Sequence, residues 1–133
     1  MSERSALQQW LALEHEAIWL LPLVGARFGE LTRLSRRTRD AHLVARDELL
    51  QRLHDAGADP VATALSYEVG PLKTVAQAKK AVRSVETRVA AAALGLVGEM
   101  AGDERVFAST ALRRAAMTQL DWGGAPTAFP GLP

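Results

Sequence analysis

Two glutamates and one histidine are the residues of this sequence best suited to chemistry, because each falls on an apolar stripe of helical spacing. Glu14 lies seven residues before Leu21, and His42 lies seven residues before Leu49. Glu86 shares its predicted face with the valines and alanines around it. Residues seven apart lie on one face of a helix, so the three polar side chains are predicted to point into an apolar interior.

Carboxylates and imidazoles that meet between helices are the ligands of di-iron and di-manganese sites in four-helix bundles. Such sites use a Glu from each of two helices and a Glu-x-x-His pair from each of the other two. Here Arg39 occupies the position three residues before His42, and a guanidinium would repel a cation. The sequence therefore predicts a degenerate metal site. The alternative is that Glu14, His42 and Glu86 bind one iron or manganese ion.

A buried ion network is the competing interpretation of the same residues. Arg113 and Arg114 are predicted to lie level with Glu14 and Glu86 if the fourth helix returns along the third. A guanidinium there could bind both carboxylates and occupy the space that a metal would fill. This interpretation is favoured, and it requires no catalytic residue and no cofactor.

Four helical segments would position these side chains. Apolar spacing predicts helices over residues 5–28, 31–56, 74–100 and 103–120, with Thr74 and Asp103 as N-caps of the last two. Pro22 is expected to kink the first helix or end it early. Residues 122–133, rich in glycine and proline, are expected to form an extended tail. All 133 residues are predicted to form one domain.

The lengths of the links between helices select a topology. The first and third links are short and predict antiparallel hairpins. The middle link, residues 57–73, could extend over more than about 50 Å, whereas a helix of about 25 residues is about 38 Å long. It could therefore return along the whole bundle and make the second and third helices parallel. An all-α, ferritin-like four-helix bundle with one long crossover is the predicted fold.

Composition excludes several classes of function. The formal net charge of +1 predicts no nucleic-acid partner, and the absence of cysteine excludes disulfides and thiolate chemistry. The apolar stretch 17–26 is too short to cross a bilayer, and the N-terminus lacks the features of a signal peptide, so a cytoplasmic protein is expected. There is no G-x-S-x-G elbow and no glycine-rich phosphate loop.

Several short segments together resemble one bacterial family. They are residues 13–17, 42–49, 57–58, 64–67, 85–86, 103–105 and 128–133. On these segments the chain resembles a ferritin-like family of unknown function from high-GC genomes. The resemblance implies the fold and a polar cluster of Glu14, His42, Arg46, Asp47 and Glu86, and it implies no activity.

The C-terminal tail and the tryptophans bear on assembly. Phe129 and Leu132 could cover the chain's own bundle or dock on a second subunit. Trp10, Trp19 and Trp122 add bulk that one bundle would not fully bury, which favours a homodimer.

The favoured function is a non-enzymatic structural or interaction module. A metal-binding or oxidase-like protein that uses Glu14, His42 and Glu86 is the alternative. A small apolar ligand held between the helices is a third possibility, because helix bundles build pockets there.

Overall fold

The computed structural model describes residues 2–132 and contains four α-helices and no strand within that range. The helices are α1 (Glu3–Arg27), α2 (Thr32–Asp55), α3 (Val75–Val97) and α4 (Gly102–Asp121), and a short 3-10 turn at Gly29–Leu31 separates the first two. An all-α fold with four helices is thus confirmed. No helix in the described part of the chain is long and apolar enough to cross a membrane.

Side-chain caps start two of the helices. The Ser2 side chain accepts a hydrogen bond from the Ser5 amide at 3.1 Å, at the start of α1. At the start of α3, Thr74 and Gln77 form a reciprocal capping box, which satisfies two amides that have no partner within the helix. The prediction of Thr74 as an N-cap is confirmed.

Two expectations at helix ends differ from the structure. The expected early end of α1 at Pro22 is wrong, since the helix continues to Arg27. Pro22 is exposed, so its ring lies on the side of the helix where water can solvate the carbonyl that loses its amide partner. Asp103 does not cap α4, because Ala101 takes the N-cap position and Asp103 lies in the first turn. A carboxylate in that turn still stabilises the positive end of the helix dipole.

One apolar core joins the four helices. Helix α1 packs against α2 and α3, and α4 packs against α3. Trp10 and Trp122 are fully buried, and Trp19 is half-buried against Tyr67, with ring centroids 5.6 Å apart. A single bundle therefore buries Trp10 and Trp122 completely, contrary to the expectation that favoured a homodimer.

The long connection between α2 and α3 contacts α1 at successive turns. Arg4 donates to the Ala56 carbonyl at 2.7 Å, and Gln8 donates to the Asp59 carbonyl at 2.7 Å. At the far end of α1, Arg27 donates to the Leu72 carbonyl at 3.2 Å. The connection therefore follows α1 from its first turns to its last.

The segment after α4 returns to α3. Gly131 has a φ of +89°, and a Cβ atom added there would lie 2.8 Å from the Ala90 carbonyl oxygen and 2.9 Å from the Leu94 Cβ. Glycine is therefore required by both the backbone conformation and the close approach. Phe129 and Leu132 on either side remain largely exposed.

Candidate functional site

The predicted polar residues of the first three helices meet in the core. Glu14 on α1, His42 on α2 and Glu86 on α3 are only 1%, 6% and 2% exposed. Each takes a position that the apolar spacing of its helix turns inward. Three helices are therefore linked by polar side chains inside an apolar core.

A single imidazole contacts both carboxylates. Nδ1 of His42 hydrogen-bonds Oε2 of Glu14, and Nε2 of His42 hydrogen-bonds Oε1 of Glu86. Two such bonds require two protons, and an ionised carboxylate can only accept. An imidazolium between two carboxylates meets this requirement. We call these three residues the Glu–His–Glu cluster.

Trp10 supports the cluster from α1. Its indole Nε1 donates to Oε1 of Glu14 at 3.0 Å, so both oxygens of this carboxylate are acceptors. The Trp10 ring stacks on Phe107 of α4, with centroids 5.0 Å apart, and the Arg52 guanidinium lies 4.4 Å from the Phe107 ring centroid. The fourth helix thus holds the side chain that orients Glu14.

The charge state of His42 follows from its two neighbours. Burial opposes the charged ring and would lower its pKa. The negative charges of Glu14 and Glu86, and the hydrogen bonds to them, outweigh burial and raise the pKa of His42 from 6.5 to about 10. His42 is therefore an imidazolium at neutral pH.

A very small cavity borders the cluster. Its volume is about 20 Å³, enough for roughly one water molecule. Its polar lining beside the cluster comes from Thr38, Thr118 and Arg114. A cavity of this size is too small to hold an organic substrate. Within residues 2–132, no group of three or more His, Asp or Glu side chains has the geometry of a metal site.

The two arginines of α4 do not join the carboxylates. Arg113 and Arg114 are exposed, and no ion pair links either one to Glu14 or Glu86 in the described part of the chain. Arg114 lines the small cavity beside the cluster, but the predicted guanidinium contact with both carboxylates does not form, because the buried face of α4 is formed by small residues. These are Ala108, Ala111 and Ala115, spaced three and four apart.

The other two members of the predicted cluster lie at its edge. Arg46 is partly buried and Asp47 is exposed, and they pair with each other at 2.9 Å. Neither hydrogen-bonds Glu14, His42 or Glu86 among residues 2–132. Exposed pairs of this kind contribute little stability, typically up to about 1 kcal/mol.

Two further polar residues next to Glu14 in the sequence are buried, and both bind partners on other segments. Glu16 is 8% exposed and forms a bidentate pair with Arg88 of α3, at 2.9 and 2.5 Å. The hydrogen bonds to Glu16 raise the pKa of Arg88 above its ordinary value. His15 donates from Nε2 to the Val61 carbonyl at 3.0 Å and so ties the long connection to α1. No local pattern indicates these partners, which are distant in sequence.

Comparison with known families places the chain. Residues 6–133 match the family described as a domain of unknown function, DUF4439. The chain belongs to this family. Membership of a family of unknown function, as the resemblance implied, is confirmed. A search of curated proteins found no match for this DUF4439 chain.

A solved structure resembles the DUF4439 fold described above. It is the crystal structure of a conserved hypothetical protein, rv2844, from Mycobacterium tuberculosis. The two chains are 28% identical, with a TM-score of 0.83, and the alignment covers 89% of this chain and 92% of the other. The agreement extends over nearly the whole four-helix fold.

Proposed function

We propose that this DUF4439 chain is a ferritin-like module that acts as a structural or interaction domain without catalysis. The observation that carries the proposal is the single imidazole engaged by a carboxylate at each of its two nitrogens. In this arrangement a proton-bearing ring takes the central place between the carboxylates. The cluster would hold α1, α2 and α3 in one mutual register.

The path of the long connection supports the ferritin-like topology. Its contacts run from Arg4 to Arg27 on α1, so α3 begins beside the end of α1. A chain that returns along the bundle in this way makes its second and third helices parallel. One long crossover of this kind distinguishes ferritin-like bundles from bundles with short loops only.

The geometry of His42 disfavours a metal ion. An imidazole ligates a metal through the lone pair of one ring nitrogen, whereas both nitrogens of His42 face carboxylates. The two nitrogens point in different directions, so Glu14 and Glu86 lie on different sides of the ring. An ion bound by all three residues would require loss of the protons and rotation of His42.

The energetics of buried ions support the proposal that the cluster fixes the relative positions of α1, α2 and α3. Removing charges from water is unfavourable, and a buried pair often adds little stability relative to apolar residues. Breaking such a pair is strongly destabilising, so alternative packings that separate the partners are disfavoured. We therefore attribute to the cluster the specification of one helix arrangement.

Metal analysis tests the proposal directly. After anaerobic incubation with Fe²⁺ or Mn²⁺ and desalting, we expect less than about 0.1 equivalent of metal and no rise in melting temperature, because no ligand binds the folded state. Mass spectrometry for metals and thermal unfolding provide the measurements. About one equivalent or more, lost in Glu14→Gln and retained in the exposed control Asp47→Asn, would instead establish the alternative metal protein.

A homodimer is the assembly that we propose for this module. Met117, Leu120 and Phe129 are 62%, 46% and 70% exposed, which places apolar side chains on the surface of α4 and of the segment after it. Apolar side chains exposed in this way are typical of protein contacts. Association through this surface would bury them.

Sedimentation velocity measures this association. Between about 5 and 500 μM we expect the mass to rise from 14.3 kDa toward twice that value, since dimerisation depends on concentration. Phe129→Ser should weaken the dimer. The control Leu65→Ser, at a fully exposed residue of the long connection, should not. A mass of 14.3 kDa at every concentration would rule out the dimer.

A further inference from the structure

A cleft separate from the Glu–His–Glu cluster opens beside the α1–α2 turn. It has a volume of about 330 Å³, within the range of small-molecule sites. Ser35, on its floor, lies two helical turns before His42, or about 10 Å along α2. The cleft is lined by residues of α1 and α2, among them Leu21, Pro22, Ala26, Ser35, Arg36 and Arg39.

Two buried polar atoms of the cleft have no partner among residues 2–132. They are the Ser35 hydroxyl oxygen and the Arg39 Nε. Ser35 is only 3% exposed, and a helical serine ordinarily bonds a carbonyl of the preceding turn. Leaving such a buried group without a partner is unfavourable. The two atoms therefore indicate a site with an unfilled hydrogen-bonding position.

Gly25 brings the floor of the cleft close to α1. A Cβ atom at Gly25 would lie 3.1 Å from the Ser35 Cβ and 3.5 Å from its hydroxyl oxygen. The missing side chain therefore lets the two helices approach. Thr32 donates to the Gly25 carbonyl at 2.6 Å, so that carbonyl is already satisfied.

The charge of the cleft is not neutralised by the chain itself. Within the described residues, neither Arg36 nor Arg39 has a carboxylate within ion-pair distance. Arg37, between them in sequence, faces Asp121 at 3.8 Å. The guanidinium groups of Arg36 and Arg39 and the Ser35 hydroxyl can therefore donate hydrogen bonds to a ligand in the cleft. The arrangement is complementary to an anion.

The other wall of the cleft is apolar. Leu21, Pro22 and Ala26 of α1 form it, and the ring of Pro22 has no amide hydrogen to offer. A fully hydrated inorganic anion would leave this wall unused. An anionic group joined to a short hydrocarbon chain matches both walls.

We propose that this cleft binds a small organic carboxylate with a short apolar tail. The carboxylate lies between Arg36 and Arg39 and accepts hydrogen bonds from Arg39 Nε and the Ser35 hydroxyl. The tail lies along Leu21 and Pro22. This inference is independent of the proposed function, because it uses none of the residues of the cluster.

Octanoate is the probe for the test, with 1-octanol and inorganic phosphate as comparisons. In titrations followed by ¹⁵N chemical shifts, including those of arginine Nε–H groups, we expect saturable changes at Ser35, Gly25 and Arg39. Binding in the millimolar range or tighter is expected from a cleft of this size, and octanol and phosphate should each bind at least about tenfold more weakly. Octanol binding as tightly as octanoate would overturn the role of the charge.

Three variants complete the test. Arg39→Gln and Ser35→Ala should each weaken octanoate binding, the former by at least about tenfold, since a hydrogen bond to a charged group is lost. Arg33→Gln is the matched control, because Arg33 is an exposed arginine of the same helix outside the cleft. Equal weakening in Arg33→Gln would show general charge attraction and overturn the site. No shift change up to about 10 mM octanoate would mean that water satisfies these atoms, and would also overturn it.

Discussion

Replacing His42 by alanine is expected to destabilise the fold by about 3–5 kcal/mol. The substitution removes the positive charge between Glu14 and Glu86 and leaves two carboxylates in a core where they are 1% and 2% exposed. A domain of this size has a total stability of about 5–15 kcal/mol, so the loss would unfold a large fraction of the protein at modest urea concentrations. Urea unfolding followed by tryptophan fluorescence measures it.

Two controls distinguish loss of the Glu–His–Glu cluster from a general effect of substituting a residue in α2. His54→Ala changes an exposed histidine near the end of the same helix and should alter stability by no more than about 0.5 kcal/mol. In a double-mutant cycle, Glu14→Ala and His42→Ala should couple by about 1–3 kcal/mol, whereas Glu14→Ala and Arg113→Ala should be additive. If the changes in unfolding free energy of Glu14→Ala and His42→Ala were additive, the two residues would not interact, which would contradict the Glu–His–Glu cluster.

Stability is expected to fall as the pH rises through the weakly alkaline range. His42 has a pKa of about 10 in the folded protein and 6.5 as its ordinary value. Because the folded state holds this proton more tightly, the contribution is complete below pH 6.5 and is lost as the pH rises through about 10. Between these values the slope approaches about −1.4 kcal/mol per pH unit for one proton.

Urea titrations at several pH values from about 7 to 9, between the ordinary and the folded-state pKa of His42, provide the measurement. Glu14 and Glu86 hydrogen-bond His42, Trp10 hydrogen-bonds Glu14, and Arg114 of α4 lines the small cavity beside the ring. His42→Gln should remove most of the slope, and His54→Gln should leave it unchanged. A flat profile for the native protein would refute a buried imidazolium.

Local periodicity was sufficient to place the helices and many of their inner faces. The seven-residue spacing predicted that Glu14 and His42 face the core, and both are buried in the structure. The same approach was wrong for Arg113 and Arg114, because it compared their depth in the bundle but not their angle around α4. The spacing of Ala108, Ala111 and Ala115 indicated that angle and was available in the sequence.

The spacing of apolar residues was not sufficient to predict where each helix begins and ends. Pro22 was expected to kink α1 or end it early, and its exposed position permits the helix to continue to Arg27. Asp103 was expected to be a cap and lies instead in the first turn of α4, two residues after the N-cap Ala101. In both cases the outcome depends on solvent access and backbone geometry, which residue type alone does not define.

The sequence by itself determined an all-α chain of four helices and the inward direction of its central Glu, His and Glu residues. These properties depend on the rotation of side chains about one helix axis, which 3.6 residues per turn define locally. Only the tertiary structure decided that one imidazole bridges both carboxylates, that Arg88 rather than water meets Glu16, and that Ser35 faces a positive cleft. The physical reason is that a hydrogen bond forms only when donor and acceptor are about 3 Å apart. Whether side chains of two helices come that close depends on the packing of the whole core.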